Sequence, residues 1–102
     1  MRNVAALGGR LLKRGALRYS PAGIPIIDFV IAHSSVQIEA GGRRKVQCDV
    51  EAVAVGSLAD TIEQVKINQS LQVKGFLARD SMGNTRLKLH ATGIELNGGD
   101  TE

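Results

Sequence analysis

Tryptophan is absent from this chain, and Tyr19, Phe29 and Phe76 are its only phenylalanine or tyrosine rings. A core must therefore be assembled from Val, Ile, Leu and Ala, and no cluster of large rings is available to organise it. A single cysteine, Cys48, excludes an internal disulfide and suits a reducing cytoplasm. No apolar run is long enough to cross a bilayer as a helix. Arg10 and Lys13 break the apolar part of residues 1–15, so this stretch does not read as a secretion signal. His33, His90 and Cys48 lack zinc-ligand spacing, and Ser34–Ser35 lacks the setting of a nucleophile elbow. No catalytic residue, metal site or cofactor is expected.

What remains is a strand-rich pattern. Asn3 to Leu12 reads as a strand bent at Gly8–Gly9, followed by a basic kink at Lys13–Gly15 and a resumption over Ala16–Tyr19. Ser20-Pro21-Ala22-Gly23 is a turn, because proline presets φ and glycine accepts a positive one. Ile24 to Gln37 is the longest apolar run, with apolar residues on both faces, and Ala40-Gly41-Gly42 signals a hairpin. The return strand, Arg43 to Val55, alternates cleanly: Val46, Cys48, Val50, Ala52 and Ala54 oppose Lys45, Gln47, Asp49 and Glu51. Ser57 as N-cap opens a short helix, with Leu58, Ile62 and Val65 on one face. Two more strands follow, separated by the loop Asp80–Asn84. Five strands with one helix between the third and fourth give an all-β OB-fold, a five-stranded Greek-key barrel. One domain is expected over residues 1–97, with residues 98–102 as a short flexible acidic tail.

The net charge is +3, and residues 95–102 hold three acids and no base, so the body of the chain is more basic than the sum. A basic body suits a polyanionic partner. In an OB barrel the surface of strands two and three, with loops one–two and four–five, is the usual oligonucleotide face. Cations gather at those places: Lys13, Arg14 and Arg18 about the first junction, Arg43, Arg44 and Lys45 at the start of strand three, and Lys74, Arg79, Arg86 and Lys88 on the last hairpin. The candidate set for binding a single-stranded oligonucleotide is Lys13, Arg18, Tyr19, Arg43, Arg44, Lys45, Gln47, Arg86 and Lys88. Tyr19 serves either stacking or packing. Phe29 and Phe76 are assigned to the core, and Cys48 is expected as a buried, inert thiol. Asp28, among isoleucines, either meets an arginine at a subunit interface or faces solvent.

Several stretches carry a resemblance. Gly9-Arg10-Leu11, Leu17-Arg18-Tyr19, Pro21-x-Gly23-x-Pro25, Phe29 and Ala32 resemble the opening pattern of the bacterial single-stranded-DNA-binding protein family. Ser20–Pro25, His33-x-Ser35-Val36-Gln37-x-Glu39-Ala40-Gly41, Cys48, Val73-x-Gly75-Phe76, Leu89-His90-Ala91 and Ile94-Glu95-Leu96 are similar to the short primosomal branch of that family. The resemblance implies a cytoplasmic bacterial homodimer without catalytic activity. Such a protein binds single-stranded DNA and serves the restart of stalled replication, with a fork-recognising primosomal helicase and further primosome loading proteins as partners. It implies no membrane association. Relatives place aromatics where this chain has Gly42 and Gln47, so base stacking is expected to contribute little. The competing reading is a protein-interaction adaptor whose DNA contact is incidental.

Overall fold

The computed structural model of the chain describes residues 1–97. Strands β1 (Ala5–Arg14), β2 (Arg18–Tyr19), β3 (Pro25–Glu39), β4 (Gly42–Val55), β5 (Ser70–Arg79) and β6 (Leu87–Leu96) form one sheet, with helix α1 (Ser57–Gln64) between β4 and β5. The order β1-β5-β6-β4-β3-β2 closes through an additional β1–β3 pairing, which makes a barrel. All pairings are antiparallel except β4 with β6. This is the expected OB-fold with one refinement. The predicted first strand breaks at Gly15, whose N–H donates to the Asp28 carbonyl at 2.8 Å, leaving β2 as a separate two-residue strand.

The core follows the period of two. Ile27, Phe29 and Ile31 of β3 point inward with Leu11, Ala52, Ala54, Leu71, Val73 and Leu89, and Ala59, Ile62 and Val65 of the helical segment cover one end. Phe29 is core as expected; Phe76 is not. The helix begins after Gly56, which holds φ at +76°, with no side-chain cap, so Ser57 is not the N-cap. At the other end Arg14 crosses the barrel mouth and donates to the carbonyls of Ile62 and Val65, filling acceptors that a helix C-terminus leaves open.

Two close approaches explain glycine in the strands. A Cβ on Gly75 would lie 1.8 Å from the His90 carbonyl oxygen, and one on Gly9 would lie 2.4 Å from that of Ala32. At Gly75 the β5–β6 register also shifts, because Thr92 is an extra residue between Gly93 and Ala91. The turn joining β2 to β3 has Pro21 and Ala22 at its centre. Gly23 at φ +83° donates to the Ser20 carbonyl, the pattern of a type I turn followed by a G1 bulge.

β3 and β4 stay paired from Ile26–Val55 out to Glu39–Gly42. Only the barrel-proximal part of this ribbon has a core beneath it. Beyond His33 and Cys48 it projects as an arm, so Cys48 is exposed although it keeps the inward parity of Ala52 and Ala54. The expectation of a buried thiol fails because alternation reports a face, not whether anything covers it. The expected acidic tail falls on residues outside those described. No helix among the described residues is long and apolar enough to cross a membrane.

Candidate nucleic-acid interface

Residues opposite each other in an antiparallel pair share a face. The register therefore places Arg43 beside Ile38, Lys45 beside Val36, Gln47 beside Ser34, Asp49 beside Ala32, and Glu51 beside Val30, all on the outer surface of the β3–β4 ribbon. Lys13 joins this surface opposite Val30. Val36 and Ile38 are 54% and 70% exposed, so the arm presents aliphatic side chains interleaved with cations. The Arg43-Arg44-Lys45 block is split by the same geometry. Arg44 lies opposite Gln37 on the other face and forms an ion pair with Glu39 at 2.7 Å. Tyr19 is exposed and opposite Pro25, on the other side of β2 from Arg18, which lies opposite Ile26.

Where the ribbon meets the barrel, a cleft of about 310 Å³ opens on the outer face, lined by Lys13, Arg86 and Lys88 together with Asp28, Glu51 and Asp80. The acids are engaged. Asp28 accepts from Arg18 at 2.6 Å and from Lys88 at 3.2 Å; Lys88 also donates to Asp80 at 2.9 Å; Arg86 pairs with Glu51. Asp28 thus meets an arginine and a lysine of its own chain while its side chain stays 40% exposed. Burial pushes its carboxyl up, but hydrogen bonds and charge from Arg18 and Lys88 outweigh this and hold it below the ordinary carboxylate value. The Asp80 carboxyl is lowered by its hydrogen bond to Lys88, and the Lys88 ammonium is raised chiefly by that same bond.

Among the described residues, Lys13, Arg43 and Lys45 form no ion pair, whereas Arg18, Arg44, Arg86 and Lys88 are each tied to a carboxylate. The structure therefore brings Lys13, Arg18, Arg43, Lys45, Gln47, Arg86 and Lys88 to one continuous face and separates Arg44 and Tyr19 from it. Sequence reasoning did not find the part of Glu51 and Asp80. Glu51 was detectable, because strand parity sets it on the face of Lys45; Asp80 was not, because its loop position is fixed only by the fold. Phe76 was assigned to the core, yet it is 40% exposed and stacks on His90.

A second hollow, of about 670 Å³, lies beside Gly8, Gly9, Arg10, His33, Ser34, Gln47 and Cys48. Ala5 to Gly9 of β1 pair with β5 on one side, and the β1–β3 pairing begins only at Arg10. His33 spans part of the gap, its Nδ1 lying 2.6 Å from the Gly8 carbonyl oxygen.

Barrel and arm define an OB-fold protein. A family model described as "Another single-strand binding protein family" matches residues 3–93. The replication restart protein PriB of Bordetella pertussis is 38% identical over 88 residues, spanning 86% of this chain and 82% of that protein. The solved structure of PriB from Ralstonia solanacearum superposes with a TM-score of 0.86 at 31% identity, over 94% of this chain and 98% of that one. The single-stranded DNA binding protein of Thermus aquaticus superposes with a TM-score of 0.76 at 25% identity, over 96% of this chain and 51% of that one. The chain belongs to the single-strand binding protein family, in its replication restart PriB branch.

Proposed function

We propose that this protein is a non-enzymatic, single-stranded-DNA-binding component of the replication-restart primosome. The observation that carries the reading is the outer face running from Arg43 and Lys45 on the arm, past Gln47 and the single carboxylate Asp49, to the cleft lined by Lys13, Arg86 and Lys88. A strand laid along it meets free cations on the arm first. In the cleft its phosphates take over from Asp28, Glu51 and Asp80 as partners of Arg18, Lys88 and Arg86. Val36 and Ile38 offer bases aliphatic contact, without hydrogen-bond readout of sequence. Arg44 and Tyr19 belong to the candidate set only if the strand wraps around the arm or the β2–β3 loop. The protein acts as a homodimer, with a second copy seated along the β1 segment Ala5–Gly9. In that form it bridges the fork-recognising helicase to later loading proteins in the bacterial cytoplasm.

Fluorescence anisotropy with labelled oligothymidine across a salt series tests this. The logarithm of the binding constant should fall linearly with the logarithm of salt, because displaced counterions drive single-strand binding with a slope of about −0.7 per phosphate. Lys45→Ala should weaken binding to all sequences alike and flatten that slope by about one phosphate's share. Absence of binding at low salt, or binding indifferent to salt, would overturn the reading. The exposed Val36 and Ile38 favour a second use of the arm, as a docking ribbon for a primosome protein. Helicase stimulation that survives complete loss of DNA binding in a Lys13, Arg43 and Lys45 triple alanine variant would make the adaptor role the primary one.

A further inference from the structure

Phe76 and His90 stand directly opposite each other on the outer surface of β5 and β6. Their rings stack with centroids 5.0 Å apart and planes 11° from parallel. A ring pair of this kind ordinarily stabilises a sheet. This one lies outside the core: Phe76 is 40% exposed while its neighbours in sequence of opposite parity, Val73 and Gly75, are buried. Its placement depends on Gly75, whose missing Cβ lets β5 press onto the His90 carbonyl at the register shift.

Cations flank the pair on both strands. Lys74 precedes Phe76 by two residues on β5, and Lys88 precedes His90 by two on β6. Residues two apart on a strand share a face and lie about 6.6 Å apart, at ~3.3 Å per residue. Lys74 is exposed and forms no ion pair among the described residues. Beside it the surface dips into a hollow of about 320 Å³ between Ala6, Gln72, Lys74 and Gly93. His90 lies beside Val53 in the parallel β4–β6 pairing, so this surface continues directly into the face that carries Glu51, Asp28 and Lys13.

We propose that the Phe76–His90 pair is a base-stacking site, taking an unpaired nucleobase on the exposed face of the Phe76 ring with an adjoining phosphate on Lys74. The inference rests on the nucleic-acid reading above and extends it from the β3–β4 ribbon onto β5 and β6. An aromatic face between two ammonium groups matches the alternation of base and phosphate in a single strand. A hydrophobic protein surface would want large apolar neighbours there, and the neighbours on this face are Gln72, Lys74, Lys88 and Glu95 with only the small Ala78 and Gly93 between them.

The test compares labelled oligothymidine with an abasic sugar–phosphate strand of equal length, on the wild-type protein and on Phe76→Leu. That variant keeps apolar bulk and removes the ring. Stacking on a protein ring contributes 1–3 kcal/mol per base, or roughly 5- to 150-fold in affinity. The wild type should prefer the strand that has bases, and Phe76→Leu should lose at least about fivefold on that strand and nothing on the abasic one, at an unchanged salt slope. A 2-aminopurine base in the strand should be quenched by the wild type and less by Phe76→Leu. Equal oligothymidine affinity and equal quenching for the two proteins would overturn the stacking site while leaving the electrostatic reading intact, and would mark the ring pair as sheet-stabilising or as a protein contact. Failure of the wild type to bind either strand at low salt would overturn both. A circular dichroism melt establishes that Phe76→Leu is folded, and Lys74→Ala, which spares the sheet, should weaken binding to both strands.

Discussion

Asp28 decides how strongly the cleft attracts a polyanion, because one carboxylate occupies both Arg18 and Lys88. Phosphate must displace it, and part of the attraction of those cations is already satisfied inside the chain. Asp28→Asn should therefore raise affinity for oligothymidine, by roughly two- to fivefold for the loss of partly exposed ion pairs, and steepen the salt dependence; unchanged binding in the anisotropy titration would remove Asp28 from the account. The same pairs contribute to stability. The carboxyl of Asp28 lies below its unfolded value, so its contribution is present at neutral pH and lost as pH falls through the folded value, below about 4. The Lys88 ammonium is raised, so its contribution is complete below its unfolded pKa and lost only as pH rises through the folded one. Urea midpoints of the wild type and Asp28→Asn should differ at pH 7 and converge at the acid end.

Among the elements, the β5–β6 hairpin and the β3–β4 arm differ in what fixes them. The hairpin is held by the core through Leu71, Val73 and Leu89 and by the approach of Gly75 to His90. Gly75→Ala forces backbone apart at a contact where no side chain can yield. It should cost about 1–3 kcal/mol, the range for overpacking, or more, read as a lowered urea midpoint with an unchanged denaturant slope. Beyond the barrel the arm has no core beneath it and is held by its ladder and exposed side-chain pairs such as Arg44–Glu39, and its two-residue turn puts the non-glycine Ala40 at φ +53° beside Gly41 at +80°. Strand parity alone sets Phe76 with Gln72 and Lys74 on the outward face, against its assignment to the core. Its partner His90 was hidden, because the β5–β6 register and its shift at Gly75 are fixed only when the barrel closes.

At the scale of the whole molecule, the β1 segment Ala5–Gly9 is paired on one side only, next to a hollow of about 670 Å³. A half-used strand edge invites another strand, and a domain this small gains from burying more of its surface. Light scattering at micromolar concentration should return twice the 10.8 kDa chain mass; a monomer would count against the proposed dimer. The face as a whole sets the salt response. If Lys13, Arg43, Lys45, Arg86 and Lys88 each meet a phosphate, the slope should lie at about −3 to −4.

The sequence by itself determined the strands, their turns, the short helix and hence the barrel, because period-two alternation, proline and glycine positions and a short helical stripe are local properties of the chain. It also marked the β3–β4 surface as cationic, since parity alone aligns Lys45, Gln47 and Glu51. The tertiary structure decided three things. It set where along the ribbon the core ends, which leaves Cys48 exposed on a face that alternation assigned inward. It chose which cations are free and which are neutralised, because the partners of Lys88 and Arg86 lie on other elements. It set the Phe76 ring against His90. Each of these depends on contacts between distant segments, whose distances are fixed only when the barrel closes.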